Sequence, residues 1–159
     1  MNTTYLLLGS NMGNSRSQLS KAMINIEKKI GRITRRSSLY ATAAWGNTSQ
    51  PDFLNQVIVV ETALTAPETM QAILLIEQKM GRLRTIKNAP RIIDIDILFF
   101  NREMIDGDQL CVPHPQIQNR RFVLVPLNQL SPNLRHPVLN KTVHALLINC
   151  ADKLNVKKF

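Results

Sequence analysis

Cysteine, glycine, aromatic residues and acids are all scarce in this sequence of 159 residues. The two cysteines, Cys111 and Cys150, form no C-x-x-C pair, so a disulfide framework is excluded and a structural zinc site nearly so. Apolar runs are only a few residues long, which argues against a membrane-spanning helix, and the amino-terminal residues lack the features of a signal peptide. We therefore expect a reduced, cytoplasmic protein with no membrane partner.

The shortage of acids leaves a strongly basic chain. Lys and Arg number 20 against 11 Asp and Glu, which gives a formal net charge of +9. Such an excess is typical of proteins that bind nucleic acid, an anionic lipid surface or a polyphosphate substrate, and composition does not separate the three. The hydrophobic fraction of 44% and the length indicate one globular domain over residues 1–159.

Apolar periodicity and turn signals predict the order β-α-β-β-α-β followed by a last helix. The predicted strands are 3–9, 33–41, 53–62 and 92–100, and the predicted helices are 15–30, 65–80 and about 142–153. Capping boxes at Ser15 and Thr65 mark two helix starts, and Gly31 and Gly81 mark the ends. Beyond Pro113 the prolines predict only short pieces before that last helix. The order is typical of an α+β, ferredoxin-like fold with an antiparallel sheet, helices on one face and a C-terminal helical extension.

The clearest chemical feature is the pair Asp94 and Asp96 inside the strand 92–100. Side chains two residues apart on a strand share a face, with Cα atoms roughly 6–7 Å apart, whereas Ile93, Ile95, Ile97 and Phe99 would form the opposite, apolar face. Two carboxylates on a rigid element suit Mg²⁺, which completes its coordination with substrate phosphates. An isolated pair of this kind is more often a solvated strand face, so the neighbouring residues decide between the two interpretations.

A basic segment precedes these aspartates. Five cations and no acid occupy residues 79–91, namely Lys79, Arg82, Arg84, Lys87 and Arg91. Cations after a helix end complement its dipole, but only those nearest the end are explained in this way. Cations beside a carboxylate pair suit magnesium-bound polyphosphate, because arginines hold phosphate oxygens that the metal does not bridge.

Further downstream, His114 stands between two prolines, and Arg120 and Phe122 follow it. A histidine fixed in this way can donate to a phosphate or make a structural hydrogen bond, and the sequence leaves both open. The turn after the first strand, Gly9 to Gly13, lacks the Gly-Lys-Ser/Thr ending of a P-loop and the third glycine of a dinucleotide fingerprint. The pattern therefore favours metal-assisted phosphoryl transfer without a Walker motif.

The ordered set of motifs resembles the 6-hydroxymethyl-7,8-dihydropterin pyrophosphokinase family almost from end to end. The matching segments are Leu8–Asn11 with Gly13, Ser38–Thr42, Trp45-Gly46, Gln50–Asn55, Glu77, Gly81–Arg84, Pro90–Asp96, Val112–Pro115 and Arg120–Leu124 with Pro126-Leu127. The block Pro90–Asp96 is the most specific of them. The resemblance implies transfer of diphosphate from ATP to a pterin alcohol in folate biosynthesis, with two Mg²⁺ ions. We also expect a monomer that has no nucleic-acid partner.

The resemblance also implies a role for each matching residue. Asp94 and Asp96 match the metal ligands. Arg82 and Arg91 match catalytic arginines that handle the transferred phosphates. The expected ATP contacts are Arg84, His114, Arg120 and Glu77. The expected pterin contacts are Phe53 and Phe122, which sandwich the ring, with Asn55 and Thr42 at its edge.

Several positions depart from the family's habits. Ala43-Ala44 replaces a proline pair, Asn88-Ala89 replaces an aromatic residue, and Leu74 replaces a glutamine that contacts the nucleotide. These departures concern loop closure and nucleotide contacts rather than the aspartate pair. A rival hypothesis is a small basic RNA-binding domain on the same framework. The absence of an aromatic R/K-G-F platform and the acidic pair on the exposed face argue against it.

Overall fold

The computed structural model describes residues 1–43, 51–82 and 90–159. The strands are β1 (Asn2–Ser10), β2 (Gly31–Arg36), β3 (Tyr40–Thr42), β4 (Phe53–Thr62), β5 (Asp94–Phe100), β6 (Ile105–Asp106), β7 (Cys111–Val112) and β8 (Val156–Lys158). The helices are α1 (Ser15–Lys29), α2 (Ala66–Lys79), α3 (Arg121–Leu130) and α4 (Val143–Ile148). Across these three ranges, no helix has the length and apolarity needed to cross a bilayer.

The main sheet is antiparallel and has β1 and β4 at its centre. Its order is β5-β1-β4-β3-β8, and β2 pairs with the other half of the β4 edge that β3 occupies. β6 and β7 form a separate hairpin. This is a mixed α/β architecture with four α-helices in the described ranges, and the predicted succession of strands and helices through β5 is present.

Helices cover both faces of the sheet, which corrects the prediction of helices on one face. α1 and α2 pack on one face through residues such as Leu19, Ile26 and Ile73. α3 and α4 pack on the other, where Leu124 and Val143 belong to a second buried cluster. The signal in the sequence is the unbroken apolar run of β1, which lacks the alternation of a strand that has one solvated face.

Two strand predictions differ from the structure in detail. The predicted strand 33–41 is divided into β2 and β3, because Ser37 turns inward and its hydroxyl accepts the Val57 N–H of β4 at 3.0 Å. In β5, a register shift opposite Tyr5 and Leu6 moves Phe99 to the second face, where it packs edge-on against Tyr5. Phe99 therefore does not continue the apolar face of Ile95 and Ile97.

The helix ends are also corrected. Asn14, not Ser15, caps α1 by accepting the Ser17 N–H, whereas the predicted capping box of α2 at Thr65 is present. The last helix is the short α4. The remainder of its predicted span, residues 149–153, is not helical and leads toward the strand β8. α3 was missed because Pro126 lies inside it. Burial of that helix's apolar side chains offsets the backbone hydrogen bond that proline removes.

Gly31 follows α1 as predicted, but close packing rather than a left-handed turn requires it. A Cβ at this position would overlap the Glu61 carbonyl oxygen of β4. Only Gly81, after α2, fulfils the expected left-handed role, with φ of 91°. Gly31 thus lets the strand after α1 join the sheet at once.

We expect Gly31→Ala to destabilise the protein by about 1–3 kcal/mol, because the methyl group must displace the β4 backbone. The melting temperature should fall by roughly 3–10 °C. Gly107→Ala is the control, since its added Cβ would be 3.3 Å from the Leu110 carbonyl oxygen and should cost less. Equal melting temperatures for Gly31→Ala and the unmodified protein would contradict this account.

Candidate active site

A cavity of about 270 Å³ opens at one end of the sheet, on the face that carries α3 and α4. Ten of the twelve predicted site residues line it. They are Thr42, Phe53, Asn55, Arg82, Arg91, Asp94, Asp96, His114, Arg120 and Phe122. Arg84 lies outside the described residues, and Glu77 is behind the cavity wall. The residues that the sequence brought together by motif are therefore neighbours in space.

Strand register explains how separate motifs meet. Gly9 of β1 is paired with Asn55 of β4 on one side and with Asp94 of β5 on the other. At the usual strand spacing, Asn55 and Asp94 are roughly 10 Å apart across β1. Gly9 leaves this space open, because a Cβ there would lie 2.7 Å from the Asn55 Oδ1. The central strand thus separates a carboxylate side of the cavity from an aromatic and amide side.

The two aspartates share the cavity face of β5, as predicted. Asp94 accepts a hydrogen bond from Arg82 through Oδ1 at 2.6 Å, and its Oδ2 lies 3.7 Å from the Arg91 guanidinium. Ile95, between the aspartates, is buried in the opposite core. Because side chains alternate between the two faces of the strand, Ile95 anchors β5 in the core while both carboxylates face the cavity.

Behind the cavity, Glu77 of α2 holds this arrangement in place. One Glu77 oxygen, Oε2, accepts hydrogen bonds from Arg82 at 2.6 Å and from the Ile95 backbone N–H at 2.8 Å. The Glu77 and Arg82 side chains are 2% and 8% exposed. Burial alone would lower the pKa of the Arg82 guanidinium, but Asp94 and Glu77 outweigh it and raise that pKa. Glu77 thus positions Arg82 and β5, and this placement does not favour the predicted direct contact with ATP.

Asp96 is in an environment that disfavours its charge. Burial in the narrow cavity, together with the nearby Asp94 and Glu77 carboxylates, raises the pKa of Asp96 to about 8. Arg120 and Arg82 oppose this shift and do not cancel it. A cation placed against Asp96 would relieve this repulsion and stabilise the ionised carboxylate.

His114 has a defined tautomer. Its Nδ1 accepts the Gln116 backbone N–H at 3.1 Å, so the neutral ring carries its proton on Nε2. Burial and, to a lesser extent, the charge of Arg120 lower the pKa of His114 to about 4. The histidine is therefore neutral at physiological pH. Its Nδ1 makes the structural hydrogen bond that the sequence offered as one alternative, and donation from Nε2 to a phosphate stays a prediction.

Each of the two aromatic residues in the cavity has an arginine beside its ring. The Arg91 guanidinium carbon is 5.9 Å from the centroid of Phe53, and that of Arg120 is 5.8 Å from the centroid of Phe122. These contacts are within the range of cation–π attraction. They connect the residues expected to hold phosphate with those expected to hold an aromatic ring.

Two buried polar groups on the aromatic side lack hydrogen-bond partners among the described residues. They are the Asn55 Nδ2 and the Thr42 Oγ1. Asn55 is 3% exposed and Thr42 is 2% exposed, and both line the cavity. An unpaired buried polar group costs free energy that hydrogen bonding to a polar ligand edge would recover.

Sequence reasoning did not assign a site role to Leu7, Gly9 and Ala43, which also line the cavity. Gly9 had a usable signal, because a glycine at the end of an apolar strand often marks a close approach of another group. Leu7 and Ala43 have no such signal, since an apolar residue in or near a strand usually packs in the core.

The residues present fit a divalent cation. Asp94 and Asp96 offer hard oxygen ligands, and the described part of the chain contains no cluster of three or more His, Cys, Asp or Glu able to enclose a metal. Two carboxylates with the remaining coordination left to phosphate and water are typical of Mg²⁺ sites.

The similarity of this chain to known proteins is consistent with the residues that line the cavity. The family of 7,8-dihydro-6-hydroxymethylpterin-pyrophosphokinase (HPPK) matches residues 5–132. The chain belongs to the HPPK family. A relative from Aquifex aeolicus, 2-amino-4-hydroxy-6-hydroxymethyldihydropteridine pyrophosphokinase, is 40% identical over 89% of this chain and 88% of its own length.

Other relatives of this HPPK-family chain are much longer. The folic acid synthesis protein FOL1 of Dictyostelium discoideum is 35% identical over 98% of this chain, which spans 23% of that protein. A solved structure of Plasmodium falciparum HPPK-DHPS has a TM-score of 0.77 at 22% identity. It covers 92% of this chain, which spans 45% of the solved chain, and at that identity it supports the fold alone.

Removing the buried carboxylate of Glu77 should strongly destabilise the protein. We expect Glu77→Ala to lower stability by about 3–5 kcal/mol, because Arg82 loses a buried partner and the Ile95 N–H loses its acceptor. Thermal or urea unfolding measures this change. Glu61→Ala is the matched control, because it breaks the exposed pair of Glu61 with Arg32 at 3.2 Å and should cost less than about 1 kcal/mol. Similar losses in the two variants would contradict the proposed anchor.

A second expectation concerns Asp96 and pH in metal-free buffer. Because folding raises this pKa from 3.8 to about 8, the contribution of Asp96 to stability decreases as the pH rises through that interval. Asp96→Asn removes the decrease, so the variant should melt a few degrees above the unmodified protein at pH 8 and show little difference near pH 4. Asp108→Asn, at an exposed position, is the control. A melting difference that does not change with pH would refute the assignment.

Proposed function

We propose that this chain transfers the diphosphate of ATP to 6-hydroxymethyl-7,8-dihydropterin in folate biosynthesis, giving AMP and the pterin diphosphate. The observation that carries the proposal is the match to the HPPK family combined with one cavity that holds carboxylates, arginines and an aromatic pair. The rival hypothesis of an RNA-binding domain has no comparable support.

The pterin would bind on the side of the cavity formed by β3, β4 and the start of α3. Phe53 and Phe122 would stack on the two faces of the ring, and stacking selects a flat heterocycle. The unpaired Asn55 Nδ2 and Thr42 Oγ1 would pair with its polar edge. A ring that lacks this edge would leave both groups buried without partners, which supports selectivity for a pterin.

The ATP phosphates would bind on the carboxylate side. Arg82, Arg91 and Arg120 line this region with the Nε2 donor of His114. Guanidinium groups suit phosphate because they donate paired hydrogen bonds in one plane. Arg84 is proposed as a further ATP contact from the family motif alone. For Glu77 we propose a positioning role through Arg82 in place of contact with the nucleotide.

Asp94 and Asp96 would hold two Mg²⁺ ions together with the phosphate oxygens. The three arginines and two aspartates that line the cavity have a formal net charge of only +1. This does not balance the negative charge of a triphosphate, so further cations are needed. When bound, the ions neutralise phosphate charge and fix the phosphate geometry. The raised pKa of Asp96 without metal supports this assignment, because a cation would stabilise its ionised form.

The chain's own residues mainly align the reactants. The pterin hydroxymethyl oxygen would attack the β-phosphorus as the bond from that phosphorus to the α,β-bridging oxygen breaks, and AMP leaves. The attacking hydroxyl loses its proton, for which no base is assigned. Holding both substrates in line and balancing phosphate charge is the larger part of catalysis in such transfers.

We also propose that the sheet and its first two helices have the ferredoxin-like topology. β1, β2, β4 and β5, with α1 and α2, follow the order βαββαβ, and the sheet order β5-β1-β4-β2 places β4 between β1 and β2. α3 and α4 then form an additional layer on the second face.

The test is AMP release from ATP with and without hydroxymethyldihydropterin, at several Mg²⁺ concentrations. We expect release that requires both the pterin and Mg²⁺, and a loss of at least about 10³-fold for Asp94→Ala and Asp96→Ala. Asp108→Ala, outside the cavity, should retain activity. Absence of pterin-dependent AMP from folded protein would overturn the function, and near-normal turnover of either cavity variant would overturn the metal assignment.

A further inference from the structure

Asn11, just after β1, connects two segments that border the cavity. Its Oδ1 accepts the Arg91 backbone N–H at 2.8 Å, and its own backbone N–H donates to the Arg91 carbonyl oxygen at 3.1 Å. Its Nδ2 donates to the Pro51 carbonyl oxygen at 3.2 Å. Asn11 is 3% exposed, so these contacts are shielded from water. One buried side chain thus joins the segment before β5 to the segment before β4.

The two joined segments carry residues from opposite sides of the cavity. Arg91 reaches Asp94 with its guanidinium at 3.7 Å, and the same group lies 5.9 Å from the centroid of Phe53. Pro51 precedes Phe53 by two residues. The contacts therefore form a closed ring: Asn11 binds Arg91, Arg91 lies beside Phe53, and Asn11 also binds Pro51. Only the step from Pro51 to Phe53 runs along the chain.

The partners of Asn11 require an amide. The Arg91 N–H can only donate and the Pro51 carbonyl can only accept, so the bridging side chain must offer one acceptor and one donor in fixed positions. A carboxylate would keep the acceptor and lose the donor. A methyl group would lose both and leave the Arg91 N–H without its acceptor.

We propose that Asn11 is a positioning residue that fixes Phe53, on the pterin side, relative to Arg91, on the phosphate side. The inference rests on the proposed placement of the two substrates. The Nδ2 contact serves the pterin side, because it holds the segment that leads into Phe53. The Oδ1 contact serves the phosphate side, because it holds the backbone of Arg91. Two substitutions at one position therefore separate the two effects.

The kinetic test compares Asn11→Asp with Asn11→Ala. We expect Asn11→Asp to raise the pterin KM by roughly tenfold, with the KM for ATP and kcat changed less than about threefold. Asn11→Ala should raise the pterin KM similarly and also lower kcat by roughly tenfold, because Arg91 is released. The distinct profiles matter, since a purely structural role would change both variants in the same way.

Asn101→Asp is the matched control. Asn101 Oδ1 accepts the Thr3 backbone N–H at 2.9 Å, and its Nδ2 donates to Asn2 Oδ1 at 2.9 Å, at the other end of β1. The substitution removes the same donor and adds the same charge away from the cavity. It should leave both KM values unchanged. An Asn11→Asp profile equal to that of Asn101→Asp would overturn the proposal, as would equal rises in both KM values.

Amide hydrogen exchange followed by NMR tests the contact without any substrate. The Arg91 N–H should be protected in the unmodified protein and in Asn11→Asp, and should exchange at least about tenfold faster in Asn11→Ala. Equal exchange in all three would overturn the proposal. If the exchange pattern is as expected but the unmodified protein releases no pterin-dependent AMP, the proposed function fails and the bridge stands. If Asn11→Ala does not fold, exchange and kinetics of Asn11→Asp decide.

Discussion

The buried ion pair between Arg82 and Glu77 is the interaction on which the rest of the site depends. A charge this deeply buried is tolerated only when it is paired and hydrogen-bonded, and Glu77 meets both conditions while also binding the backbone of β5. Through Arg82 the pair extends to Asp94, so the end of α2 and the start of β5 are coupled through charge. Asp94 is therefore held in position by the protein's own charges before any substrate enters.

The second helical layer decides where that charge is accessible. On the face covered by α3 and α4, the sheet is apolar at one end, around Val57, Leu98 and Phe99, and polar at the other, where the aspartates of β5 lie. Arg120 and Phe122 stand at the start of α3 and line the cavity. The layer thus packs as a core over half the face and forms the wall of the cavity over the remainder.

The sequence predicted the part of this structure that follows local rules. The strand carrying Asp94 and Asp96, the capping box at Thr65 and the glycine stop at Gly81 all depend on short-range spacing, and the structure confirms these elements. Family motifs brought together ten residues that line one cavity. Features that depend on contacts distant in sequence were missed or misplaced. α3 contains a proline whose cost is offset only by tertiary burial, and Phe99 changes face through a register shift against β1. The positioning role of Glu77 depends on its hydrogen bond from the Ile95 backbone N–H, which local spacing does not predict.

Part of the positive charge outside the cavity lies on the edge strand β2. In the described ranges β2 pairs with β4 along one side only, and Arg32, Arg35 and Arg36 are exposed along it. An unpaired strand edge is a template on which a second copy of the chain can add its own strand. Arg35 and Arg36 bring like charges into such a contact and disfavour it between identical molecules, whereas Arg32 is already paired with Glu61. The arginines of this edge strand therefore disfavour edge-to-edge association of identical chains, and they do so with the residue type that is proposed to hold phosphate in the cavity.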